Sequence, residues 1–469
     1  MKSRNQIIPI TKRISLIAGW VRNSIFTICM LLFGISVSAQ APVQLQLKDA
    51  IKYALEANQN ARKAKLDIEN AQNQIDEVRA RALPQVNGSG SIAYNPILAL
   101  SALPGELAGQ PGTTLFIAFG QKWNSSLGVS VSQTIFDNSV FTGLKAAKTT
   151  QQFYRLNAQL TDEQIIEQVA TMYYQVLVQR QQTGVLDSTI NNVQRVHEVL
   201  KSLWQNGLAK KIDVDRIAVN LSNLKSKRQQ LTNGITLLEN QLKFYMGMPI
   251  QMHIVIPEQI LENIKPQAVA IGETINVTDR TEMIVLRKQE TLLHYQKQSY
   301  KSANLPTLSV GGSYSYNGLG NKFPVFKGQS SGVNWFDVAA VNLSIRVPIF
   351  NGGGTKAKVK QADIAIRKLQ EDISYTTLVL NLAYENAKTK INNSIITLQT
   401  QRENVALAQE VYFNTQNNYS NGLATLTDLL NAENSLTESQ NNYSTALLDY
   451  KLSEVQLLKS QGELKSLLN

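Results

Sequence analysis

The 469-residue chain carries 46 Lys and Arg against 35 Asp and Glu, a formal charge of +11, and a single cysteine. One thiol excludes a disulfide framework or a cysteine-based metal site. The positive charge is scattered among acids along helical stretches, with no basic stripe interleaved with aromatics, which excludes a nucleic-acid-binding face.

Residues 1–39 read as a secretory signal peptide. Lys2, Arg4, Lys12, Arg13 and Arg22 precede an apolar run from Ile25 to Val37, and Val37-Ser38-Ala39 supplies a small-residue cleavage site. The run is shorter than the ~20 apolar residues a spanning helix needs. Cys29 lies within it, and Phe26-Thr27-Ile28 lacks the small residues of a lipoprotein cleavage site, so no lipid anchor is expected. Cleavage would lower the formal charge to +6, 41 basic residues against 35 acidic, and leave a mature chain without a thiol. No mature segment is apolar enough for a membrane helix, so any membrane crossing must be made by strands.

From Leu45 to Pro84 the apolar residues keep a 3.6 period with no internal Gly or Pro, which predicts one helix. The period then changes to two. Gly88, Gly90, Ile92 and Tyr94 alternate with small polar residues; after a Pro- and Gly-rich loop (95–122), Leu127, Val129, Val131 and Ile135 do the same. One apolar face and one small polar face is the pattern of a transmembrane barrel strand. Past Phe136 a helical pattern from Gly143 to Asn206 would span roughly 95 Å if unbroken at Gly184. Leu186, Ile190, Val193, His197, Leu200 and Trp204 form a coiled-coil seam in it, and the seam resumes from Ile217 to Tyr245 with Arg228 as its one charged position.

The second half repeats the order: a helix over about 275–303, strands from Leu308 to Tyr316 and from Val341 to Ile349, a long helix to Asn421, and a last helix with Leu429, Leu436, Tyr443, Tyr450, Leu457 and Leu464 at sevens. The chain thus divides into residues 40–271 and 272–469, each a helix, two strands and a long helical hairpin. The hairpin turns match: Asn206, Gly207, Leu208, Ala209 and Asp213 return 215 positions later as Asn421, Gly422, Leu423, Ala424 and Asp428. A Gly closing a long helical pattern is a left-handed C-cap. Four strands cannot close a barrel, which needs at least ~8, and an open edge cannot face lipid. Three copies would supply twelve. Tyr94, Trp123, Phe136, Tyr314, Tyr316, Trp335 and Phe350 are expected at or near strand ends, as an interfacial girdle or as loop-packing anchors.

The element order and the residues LKDAIKYALEANQN, LPQV and LPTL, VSQTIF and RVPIF, and two NGLA turns resemble the TolC-like outer-membrane efflux protein family over essentially the whole mature chain. That resemblance implies a homotrimer in the outer membrane of a Gram-negative bacterium: a twelve-stranded β-barrel continuous with a mainly α, coiled-coil tube through the periplasm. It implies a passive exit duct for small molecules, whose NGLA tips dock a periplasmic adaptor protein and an inner-membrane pump of RND, ABC or MFS type. It further implies that Asp428 and Asn431 stand where relatives have two lumen-ring acids, and that Tyr419 and Asp213 form part of a periplasmic gate latch. Ala424 replaces a latching arginine.

Other motifs carry less. Gly352-Gly353-Gly354-Thr355-Lys356 lacks the phosphate-loop spacing and reads as an elbow between strand and helix. His197, His253 and His294 share no metal-ligand spacing. No catalytic constellation, cofactor or metal site is expected. A rival reading is a periplasmic or surface coiled-coil interaction protein whose short strands pair in a small sheet.

Overall fold

The computed structural model describes residues 43–257, 274–324 and 332–468. The signal peptide lies outside them, as do residues 258–271 at the end of the first repeat. Two compact units are present. The smaller holds a two-residue parallel pairing of β1 (Val43–Gln44) with β6 (Ile254–Val255), extended by a Leu45 N–H donating to the Val255 carbonyl at 2.8 Å.

All other elements belong to the larger unit. Helices α1 (Leu47–Ala57) and α2 (Gln59–Ala80) lead into strand β2 (Gln85–Tyr94). A short hairpin, β3 (Leu100–Pro104) and β4 (Thr114–Ala118), separates it from β5 (Trp123–Phe136). Helix α3 (Asn138–Gln205) and helix α4 (Lys211–Met246) form the first long hairpin. Helix α5 (Thr281–Ser302), strands β7 (Thr307–Gly320) and β8 (Val333–Arg346), and helices α6 (Gly354–Ser420) and α7 (Leu426–Gln461) complete the order.

The expected order of helices and strands is present, with four local changes. The first helical pattern is broken at Asn58, whose side chain accepts from Asn60 N at 2.7 Å and caps α2. Helical periodicity passes across such a joint unmarked, because only a local cap makes it. The loop 95–122 contains the β3–β4 hairpin, whose five-residue strands are too short to register as alternation within a Pro- and Gly-rich segment. Gly184 does not interrupt its helix; α3 runs 68 residues, about 100 Å. Strand β8 begins eight residues before Val341 and ends at Arg346, so Val347 and Ile349 lie past it.

Seam residues Leu186, Ile190, Val193 and Leu200 are buried against Val214, Ile217 and Leu221 of α4, together with Leu426 of α7. His197 is half-buried, whereas Trp204 is exposed near the end of α3. The charged seam position is explained: Arg228 pairs with Asp187 across the hairpin. Leu429, Leu436, Tyr450, Leu457 and Leu464 are buried, so the sevens of the last helix mark a packing face.

Strands β2, β5, β7 and β8 form one antiparallel sheet in the order β2-β5-β7-β8, leaving β2 and β8 as edges. Directly paired residues project to the same face. Val86 pairs Val131, Val131 pairs Gly312 and Gly312 pairs Val341; Val310 pairs Leu343 and Leu308 pairs Ile345. Most apolar residues of the four strands therefore share one face, which also carries Gln133 opposite Val310 and Asp337 opposite Tyr316, while Phe336 and Val338 of β8 lie on the other. Ser130 pairs Asn87 and Ser313, and Gly311 pairs Asn342, on the other. A register shift between Thr134 and Phe136 keeps Phe136 opposite Leu308.

Candidate functional site

The two hairpin tips have the same backbone. Asn206 and Asn421 cap α3 and α6, and Gly207 and Gly422 both take φ +74°, where a side chain is strained. Leu208 N donates to Leu203 O and Leu423 N to Leu's counterpart, Asn418 O, each at 2.8 Å. Gly207 N reaches Trp204 O at 2.9 Å and Gly422 N reaches Tyr419 O at 3.0 Å. Each tip is a Schellman motif. The amide groups of Asn206 and Asn421 also donate back to Ser202 O (2.8 Å) and Asn417 O (2.9 Å). Leu208 and Leu423 are left 76% and 79% exposed, large apolar side chains at the turn, while Ala209 and Ala424 are half-buried.

Within one chain the tips lie side by side. A groove of about 700 Å³ is lined by Leu203, Leu208, Asp213, Tyr419, Gly422 and Ala424 among others. Asp213 and Tyr419 meet there. Burial, and after it the Asp213 charge, raise the Tyr419 hydroxyl above its ordinary value. Among the described residues no hydrogen bond joins the two. The polar tie between the tips is instead Arg216, whose guanidinium donates to Thr427 Oγ1 at 3.0 Å. No sequence pattern marked that pair.

The two matching aspartates differ. Asp428 is exposed and closes a capping box with Thr425 at the start of α7, while the corresponding cap position of α4 is Lys210, with no side-chain cap bond. Asp213 is half-buried in the groove and Asn431 is exposed one turn past Asp428.

Six residues beyond Thr427 along α7, the packing turns polar. Glu433 of α7 is 5% exposed and takes hydrogen bonds from Tyr412 of α6 and, at 3.4 Å, from Asn192 of α3. One turn further, Thr189 and Thr437 share a buried hydroxyl contact of 2.9 Å. Burial raises the Glu433 carboxyl, and the two hydrogen bonds oppose that only in part. Burial and the Glu433 contact likewise raise the Tyr412 hydroxyl. The sequence did carry a signal: Glu433 stands between Leu429 and Leu436, on the apolar face of α7.

At the far end of the sheet the aromatics cluster. Tyr94 packs on Trp123 at 4.6 Å between ring centroids, Trp123 on Phe323 at 4.9 Å, and Tyr316 stacks on Trp335 at 5.0 Å. Trp335 lies over Gly318, where an added Cβ would come within 2.8–2.9 Å of the indole. Phe136 marks the opposite end of the same face, near Phe141. Two expectations need correction. Tyr314 sits in the middle of β7, paired with Val129 and Ala339, and Phe350 lies beyond β8 in the link to α6. That link contains the glycine run; Gly352 and Gly353 have φ +65° and +82°, and Gly353 caps α6. Among the described residues no His, Cys, Asp and Glu cluster is placed to hold a metal, and no helix is long and apolar enough to cross a membrane.

The model of the family described as "Outer membrane efflux protein" matches residues 50–248 and 281–463. The chain belongs to the outer membrane efflux protein family. Membership locates this efflux protein in the outer membrane, as a component of the route by which material leaves the cell. It is 24% identical over 355 residues to the outer membrane protein TolC of Vibrio cholerae, covering 72% of this chain and 77% of that one. With TolC of Escherichia coli K12 the identity is 21% over 446 residues, covering 92% and 86%. The crystal structure of the outer membrane protein VceC from Vibrio cholerae superposes with a TM-score of 0.66 at 16% identity, over 89% of the efflux protein and 96% of VceC, so the two share a fold.

Proposed function

We propose that the efflux protein is the passive exit duct of a tripartite efflux or type I secretion assembly, with three copies sharing one twelve-stranded barrel. The observation that carries this reading is the sheet: a predominantly apolar face over four strands, with both edges, β2 and β8, unpaired among the described residues. Unpaired edges cannot face hydrocarbon, so β8 of one copy pairs β2 of the next until the ring closes. The small polar face then lines a water-filled bore with little chemical selectivity, suited to a conduit for small molecules.

In this reading the tips, Asn206 to Ala209 and Asn421 to Ala424, receive a periplasmic adaptor. Energy comes from an inner-membrane pump of RND, ABC or MFS type, since the chain has no nucleotide-binding motif of its own. Tyr419, Asp213, Asp428 and Asn431 form the constriction at that end. Mass measurement in detergent, together with conductance in planar bilayers, tests the proposal. A stable monomer that inserts into the bilayer would sink it.

A further inference from the structure

The four strand–helix junctions lie at one end of the sheet, since Gln85 pairs Ser132, Phe136 pairs Leu308 and Thr307 pairs Arg346. The three helical turns nearest that end, on α2, α3, α5 and α6 with their caps, hold only four acids: Asp76, Glu77, Asp137 and Asp363. Every one is engaged. Asp76 pairs Arg79 at 2.9 Å, Glu77 pairs Arg81 at 2.6 Å, Asp363 pairs Lys297, and Asp137 caps α3 through Ser139 N at 2.7 Å. Six exposed lysines remain: Lys145, Lys148, Lys301, Lys356, Lys358 and Lys360. Among the described residues none of the six is in an ion pair. Arg346, which pairs Thr307, projects to the sheet's other, polar face.

We infer that this lysine collar is a binding surface for anionic phospholipid headgroups of the leaflet at the helical end of the barrel. The inference rests on the sheet being membrane-embedded, as proposed above. The apolar face ends at Phe136, Leu308 and Ile345, and the collar begins with Lys301 and Lys356 in the adjoining helical turns and extends over three turns to Lys148. That is a rise of roughly 15 Å, reached in part by the flexible lysine stems, beside an interfacial zone several ångströms deep. Surplus Lys at that depth attracts anionic headgroups, and the attraction is screened by salt. A solvated helix face would instead spread its charges in matched pairs, as α2 does here with Asp76–Arg79 and Glu77–Arg81.

The test uses the full chain purified in a non-ionic detergent doped with equal phosphatidylglycerol and phosphatidylcholine, counting the lipids retained per chain. The wild-type protein should retain phosphatidylglycerol at least tenfold over phosphatidylcholine at low salt, and lose that preference at high salt. The six-lysine variant (K145Q, K148Q, K301Q, K356Q, K358Q and K360Q) should show no preference, with oligomer mass unchanged. If that variant fails to fold, K356Q/K358Q/K360Q alone should show a clear partial loss. Equal retention of the two lipids by the wild type, or undiminished preference in a folded variant, overturns the collar. So does release of phosphatidylglycerol by millimolar inorganic phosphate, which would make free phosphate the ligand. Conductance in pure phosphatidylcholine bilayers reports insertion separately. Channels there without lipid preference would sink the collar alone, whereas no channels in any lipid would sink the membrane reading beneath it.

Discussion

Thr425 and Asp428 complete each other's backbone at the start of α7. The Asp428 carboxylate accepts from the Thr425 N–H at 2.9 Å and from its hydroxyl at 2.6 Å, while the Asp428 N–H donates to Thr425 Oγ1 at 3.2 Å. These bonds hold the Asp428 carboxyl below the usual carboxylate range. The stability they add is present above the unfolded aspartate value and is lost as pH falls through the lower folded one.

That relationship separates two roles for Asp428. Thr425→Ala removes the cap and should cost about 1 kcal/mol, leaving ion selectivity untouched. Asp428→Asn keeps an acceptor for the Thr425 N–H but removes the charge. If Asp428 lines the lumen, reversal potentials in bilayers should show reduced cation preference in Asp428→Asn and not in Thr425→Ala. Unchanged selectivity in both would leave Asp428 as a helix cap only.

Glu433 should make the hairpin packing sensitive to weak acid. Its folded carboxyl titrates above the unfolded value, so the packing is most stable below the ordinary glutamate range and loses stability as pH rises through the raised value. Glu433→Gln keeps partners for Tyr412 and Asn192 without the charge. Thermal melts from pH 4.5 to 7.5 should show the variant melting higher at neutral pH, where in a chain of this length a gain of about 1 kcal/mol shifts the midpoint by ~1 °C. The gap should close toward acid. A constant gap would place the pH dependence elsewhere.

The positive φ of Gly207 and Gly422 should be costly to fill with any side chain, although nothing lies within 4 Å of either added Cβ. Each Gly→Ala change should destabilise its tip by about 1–2 kcal/mol through backbone strain alone. Protease nicking at the tips, compared between wild type and the two variants, would register the loosened turns. In cells carrying the natural pump, bulky replacements at both sites should reduce export while the oligomer mass stays the same.

Gly318→Val should disturb the end of the sheet. The new side chain would collide with the Trp335 ring, and the Tyr316–Trp335 stack would have to open. A red-shifted Trp emission and slower assembly into heat-resistant oligomers are expected, against little change for Gly88→Val, where an added Cβ meets nothing within 4 Å.

Elements that obey one period over many residues were legible in the sequence. The alternation of Leu127, Val129 and Val131 marked a strand, and the recurrence of Asn206-Gly207-Leu208 as Asn421-Gly422-Leu423 marked two equivalent turns. Features made by one or two side chains were not. Asn58 breaks a helix without disturbing its period, and Arg216 reaches Thr427 only because two hairpins lie side by side. Glu433 could have been found, since an acid on the apolar face of α7 needs partners, but its donors come from residues 192 and 412, far away in the chain. Trp204 kept the seam period yet is exposed, because the period fixes direction and not whether a neighbour extends far enough to cover it.

The joint at Asn58 also sets a sequence of events. Its side-chain amide donates to the Tyr245 carbonyl at 2.7 Å, 187 positions along the chain, and an added Cβ at Gly247 would meet the Ala57 carbonyl at 2.7 Å. The side-chain bond from Asn58 and the close approach at Gly247 are complete only when the far end of α4 is in place. Local hairpins such as α3–α4 close much shorter loops and have no such wait. The bond that fixes this joint is therefore a long-range one, which exists only once residues 187 positions apart have come together.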